Sequence, residues 1–194
     1  MDKFYLIIIT HALNMNIATV KAKLELDNLK PITEVSFYSA QSVDKGICIG
    51  KYEDKILIVS QDRIFGWYEK EATPFERQII SLFPNSEIAA LTLYDTVGLY
   101  GYSIIKDGKR VRIKSGADSE VYIDIGDKLK EEDDVIKKEI FSPDEMKEMK
   151  QKYTAGEVER FVENEVGVRV TSALLLRYFT NYEVFDKITL TEYQ

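Results

Sequence analysis

The chain has 194 residues, 45% of them hydrophobic, with 26 Lys and Arg against 33 Asp and Glu for a formal net charge of −7. That length builds one sizeable core and excludes two independent domains, so a single domain over residues 1–194 is expected, carrying at most a helical C-terminal subdomain over residues 135–194. The acidic balance repels polyanions at long range, which argues against nucleic acid and membrane surfaces and favours a basic protein partner.

Residues 4–10 are β-branched and aromatic throughout, the pattern of a strand buried on both faces. The run is too short for a secretory leader or a membrane span. The lone Cys48 sits between Ile47 and Ile49 and has no disulfide partner in the chain, so the expected location is cytoplasmic. Asn16 caps a helix carrying Ile17, Val20 and Leu24, with Leu26 and Leu29 trailing, which Lys30-Pro31 ends because the residue before proline is pushed out of the α region. Residues 34–40, 46–52 and 55–61 follow as strands, the last two joined by a tight hairpin at Glu53-Asp54. At residues 73–83, Thr73, Pro74 and Glu76 make a helix start with a capping box, and Phe75, Ile79 and Phe83 form its inward stripe.

Residues 87–95, 99–106, 109–114 and 121–125 read as four strands of a meander, with Asp107-Gly108 as a type I′ turn. The stretch "KLKEEDDVIKKE" from Lys128 is a mixed charge run, expected as a solvated connector or helix face. Ser142 and Thr154 each stand three residues before a glutamate and open helices. The first runs to about residue 153; the second turns Val158, Phe161 and Val162 inward until Gly167 interrupts it. Residues 171–180 make a third helix and residues 184–190 a closing strand. The fold class is therefore α+β: a mostly antiparallel sheet with a central meander, packed against helices, and a helical C-terminal third.

Chemistry is sparse. Gly46-x-Cys48-x-Gly50 flanks a strand instead of opening a helix, so it is not a dinucleotide loop. With one histidine and one cysteine, nitrogen and sulfur zinc sites are excluded; no EF-hand loop occurs, and neither a metal nor a cofactor is expected. His11, at the end of the first strand, is the one candidate general base, with Asp62 or Asp95 as its orienting carboxylate. Arg63, Phe65, Trp67 and Tyr68 form an aromatic cluster of the residue types that carry binding hot spots, weighed against closure of a core end. Tyr94, Tyr100 and Tyr102 could stack nucleic-acid bases, yet Tyr100 and Tyr102 alternate with Ile104 as a packed sheet face does.

The hairpin "KDGKRVRIKSG" concentrates Lys106, Lys109, Arg110, Arg112 and Lys114 in an acidic chain. Val111 and Ile113 alternate with the cations, and Val121, Ile123 and Ile125 alternate with Glu120 and Asp124. An antiparallel meander then sets acids across from bases and needs no ligand. The segments "LFPNSEI", "VGLYGYSIIKDGKRVR", "DIGDKLKEE" and "GEVERFV" resemble an uncharacterised bacterial family of domains of unknown function over residues 80–165. The resemblance implies a compact α+β domain and carries no activity, cofactor or site residue.

The expected function is that of a soluble, non-enzymatic protein acting through protein–protein contact, an immunity-type or antagonist protein for a basic partner. The alternatives are a small hydrolase-like enzyme using His11 with a carboxylate, and a nucleic-acid binder using the 106–114 hairpin. No motif in the chain sets an oligomeric state.

Overall fold

The computed structural model describes residues 3–194. In chain order, β1 (Lys3–Ile9), α1 (Ile17–Lys23), β2 (Pro31–Ser36), the single turn α2 (Phe37–Ala40), β3 (Ile47–Tyr52), β4 (Lys55–Val59) and the turn α3 (Gln61–Ile64) lead into a 3-10 turn at Phe65–Tyr68. There follow α4 (Pro74–Leu82), β5 (Ile88–Tyr94), β6 (Leu99–Lys106), β7 (Lys109–Ala117), β8 (Glu120–Gly126), α5 (Lys130–Ile136), α6 (Pro143–Lys152) and α7 (Ala155–Tyr178). A 3-10 turn at Tyr182–Lys187 then precedes β9 (Thr189–Tyr193). The nine strands form one antiparallel sheet in the order β2-β9-β3-β4-β1-β5-β6-β7-β8.

β1 is interior, as its apolar run requires, and no residue from Phe4 to Ile9 is more than 3% exposed. Its alternation splits the core. Phe4, Leu6 and Ile8 point to the layer under α7, whereas Tyr5, Ile7 and Ile9 point to the layer under α1, α3 and α4. Each such side chain contributes on the order of 1.5–3 kcal/mol on burial. The α+β class is thus as expected. The meander β5 to β8 makes up one half of the sheet and ends at its edge, and β9 is threaded between β2 and β3 in the other half.

Several elements differ from the sequence expectation for identifiable reasons. α1 ends at Lys23, and Glu25 turns the chain with φ 57°. β2 starts at Pro31, which an edge strand tolerates, and Ser36 then caps a helical turn by accepting from Ser39 N–H at 3.2 Å. That turn drops Phe37 into the core, stacked on Phe185 with centroids 4.5 Å apart. Gly167 does not interrupt α7, which runs unbroken for 24 residues. A glycine inside a helix costs about 1 kcal/mol against alanine, but here the Tyr100 ring occupies the space a Cβ needs. The charge run from Lys128 takes the helix-face alternative, with one side buried. It folds as α5, with Glu132 and Val135 buried. Residues 182–187 are a 3-10 turn, and the closing strand begins only at Thr189.

The largest departure lies in β7. Register passes from Ile104↔Arg112 to Ile105↔Arg110, leaving Val111 as an extra residue. This β-bulge breaks the period of two. Arg112 shares a face with Ile104 under α7, while Arg110 shares one with Ile105 under α4. Strict alternation would have put both arginines on one side. A second bulge at Tyr122 leaves Val121 opposite Gly116 and Glu120 opposite Ala117, so Asp124 alone of the β8 acids meets a base across the strands. β2, at the other edge, also skips a residue at Ile32. Bulges and Pro31 blunt both edges against pairing with another chain.

Candidate functional site

The predicted site residues separate once folded. His11 has φ 56°, its side chain is 76% exposed, and its nearest carboxylate is Asp54, with Nδ1 to Oδ2 at 3.5 Å. Asp95 follows Tyr94, which pairs with Lys3 at the opposite end of β1, and Asp62 follows β4 at that same far end. The pairs His11–Asp62 and His11–Asp95 are therefore not assembled, and His11 borders none of the clefts described below. Cys48 is fully buried, and burial pushes its thiol up to about 12, which leaves no thiolate at neutral pH. Among the described residues, no group of three His, Cys, Asp or Glu side chains comes together to hold a metal ion.

The aromatic cluster divides. Trp67 is 0% exposed in the core under α4, and Tyr68 donates its hydroxyl to Thr92 Oγ1 at 2.8 Å. Both close the core. Phe65 stays 40% exposed, edge-on to Tyr5. Arg63 reaches a cleft, its guanidinium 4.8 Å from the Phe75 ring centroid.

The basic hairpin is spent internally. Arg112 is 1% exposed and donates from Nε and Nη2 to the two oxygens of Glu132, at 2.8 and 2.7 Å, and from Nη1 to Asp124. Burial is the largest single influence and works against both carboxylate charges, but the bonds and charge of Arg112, joined by Lys114 at Asp124 and by the Leu129 N–H at Glu132, together exceed it and hold both groups below the ordinary range. Lys114 bridges Asp124 and Glu163 of α7, and Arg110 grips Glu76 of α4, itself 0% exposed. Lys106 pairs with Glu87 at 3.1 Å. Of the five cations, Lys109 alone has no carboxylate partner among the described residues. Tyr100 and Tyr102 are fully buried under α7 and present no stacking surface.

Two surfaces remain with the shape of a site. The first is a groove of about 640 Å³ between α6 and α7, lined by Met146, Tyr153, Val158 and Val162 and flanked by Lys150, Glu159 and Glu163. α6 has no buried residue. Residues 118–165, which supply this whole region, hold sixteen Asp and Glu against eight Lys and Arg, a net of −8, while the rest of the chain nets +1. The second surface lies on the other face of the sheet. A cleft of about 540 Å³ between the 24–29 loop, α3 and the start of α4 shares Pro74 and Gln78 with one neighbour and Leu29, Asp62 and Arg63 with another. Neither groove was foreseen as such, although Arg63 was. Val158 and Val162, four apart on α7, were the one available hint for the first, whereas the other walls of the second come from segments far apart in the chain.

No helix among the described residues is long and apolar enough to cross a membrane. No protein-family model, curated protein or solved structure matches the chain.

Proposed function

We propose that this protein is a non-enzymatic, cytoplasmic binding protein whose α6–α7 groove takes a basic amphipathic segment of a partner protein, in the manner of an acidic antagonist. The observation that carries this is an apolar groove set in the acidic quarter of the chain, residues 118–165. Counting Arg112 and Lys114 with the carboxylates they neutralise still leaves an excess of six negative charges there. Met146 is half-buried on α6 and lines the groove, and an unbranched thioether adapts to the side chains of an incoming helix. Surrounding acids speed encounter with a basic partner and reject acidic ones.

The test is fluorescence anisotropy with a labelled amphipathic helical peptide carrying Leu on one face and Lys on the other. Saturable binding is expected, weakening as salt rises from about 50 to 300 mM and dropping roughly tenfold, about 1.4 kcal/mol, in Val162→Lys. Equal affinity for the same peptide with Glu in place of Lys would overturn the proposal. So would turnover in a broad hydrolase screen that disappears in His11→Ala.

A further inference from the structure

The clefts around Arg63 make one continuous groove on the face opposite the α6–α7 site. From one end to the other it is lined by Lys23 and Arg77, then Arg63, then Lys45, against the two acids Glu25 and Asp62. Four of the seven arginines, Arg110, Arg112, Arg169 and Arg177, are tied to carboxylates. Arg63 and Arg77 have no carboxylate within ion-pair distance among the described residues. Phe75 holds the Arg63 guanidinium by its face, which leaves the N–H edge open to an incoming carboxylate.

Three carboxamides, Asn28, Gln78 and Gln194, are spaced along the same walls. Asn28 and Gln78 each offer a donor and an acceptor, and Gln194, whose Nε2 donates to Glu192, keeps its second N–H and its carbonyl oxygen; this is the complement of a peptide backbone and not of a phosphate chain, which presents acceptors only. Glu25, Asp62 and the net charge of −7 further disfavour a polyanionic backbone. From this we infer that the groove binds an extended acidic peptide segment, its carboxylates on Arg63, Arg77 and Lys45 and its backbone on the carboxamides. The site is independent of the α6–α7 groove and takes the opposite charge.

The experiment titrates the full chain into three fluorescein-labelled probes: a peptide of about eight residues alternating Glu and Ser, the same peptide with Lys for Glu, and a single-stranded oligonucleotide of similar length. Saturable binding of the Glu peptide is expected, at least about tenfold tighter than the Lys peptide. Arg63→Ala should weaken it roughly tenfold and Arg63→Lys less, because lysine loses the planar fork. Lys45 and Arg77 are exposed, so Lys45→Ala with Arg77→Ala gives a second test that leaves the core untouched, and unchanged Trp67 emission verifies folding in every variant. The inference is overturned if the Glu peptide does not bind, if both peptides bind alike, if the oligonucleotide binds more tightly, or if folded variants bind as the parent does.

Discussion

The two faces of the sheet use the same device, an arginine of β7 gripping a buried glutamate of a helix, but they support it differently. Under α7, Glu132 also accepts from the Leu129 N–H at 2.8 Å, and Asp124, Lys114 and Glu163 share the charge. Under α4, Glu76 is fully buried and Arg110 is the only side chain bonded to it. The bulge at Val111 is what supplies both faces from one strand. A buried carboxylate that keeps a second donor loses less when its arginine is removed than one that keeps none.

Removing the arginines should therefore separate the faces most strongly. Arg110→Met and Arg112→Met each strand a buried carboxylate and should lower unfolding free energy by about 3–5 kcal/mol, with Arg110→Met at the upper end. Urea midpoints measure both. Adding Glu76→Met to Arg110→Met should recover most of the loss, since replacing a whole buried pair by apolar groups is close to neutral; no recovery would mean that the pair itself stabilises the α4 face.

Acid should act on the α7 face through Asp124 and Glu132. Asp124 and Glu132 are held below their ordinary values of 3.8 and 4.5 in the fold. Their contribution is complete above those unfolded values and is lost as pH falls through the lower folded ones. The urea midpoint should drop between about pH 5 and pH 2, and Arg112→Met should flatten that drop. An unchanged slope in the variant would show that other carboxylates carry it. Glu145 and Glu157, lowered by their bonds to Ser142 and Thr154, contribute in the same direction.

The smallest contrast concerns the helix starts. At Thr154 the cap is reciprocal, with Glu157 N–H donating to Thr154 Oγ1 at 3.4 Å and the Thr154 N–H donating back to the Glu157 carboxylate at 2.8 Å. At Thr73 the return bond is missing, because Arg110 has drawn the Glu76 carboxylate into the core. Thr154→Ala should cost about 1 kcal/mol and Thr73→Ala about half of that, near the lower limit for caps. Thermal melts that rank the two in reverse would break the comparison.

Much of this fold is written in local pattern. The β1 run, the capped starts of α4, α6 and α7, the Glu53-Asp54 hairpin and the Asp107-Gly108 turn, with φ 49° and 70°, all follow from residues a few positions apart. Hydrogen bonding and side-chain periodicity act at that range, so sequence by itself determined most of the elements and the α+β class. The burial of Trp67 and the isolation of His11 were open between two readings until packing placed them.

Tertiary structure alone decided which face each side chain serves. A bulge of one residue at Val111 reverses the sense of the strand and leaves no mark in the hydrophobic alternation. The partners it selects, Glu76 for Arg110 and Glu132 for Arg112, lie 34 and 20 positions away. Gly167, which by propensity ends a helix, stays inside α7 because Tyr100 fills the space beside it. The groove around Arg63 arises in the same way, from a surface that exists only when residues 24–29, 62–66 and 73–78 pack, and for that reason no spacing in the chain announces it.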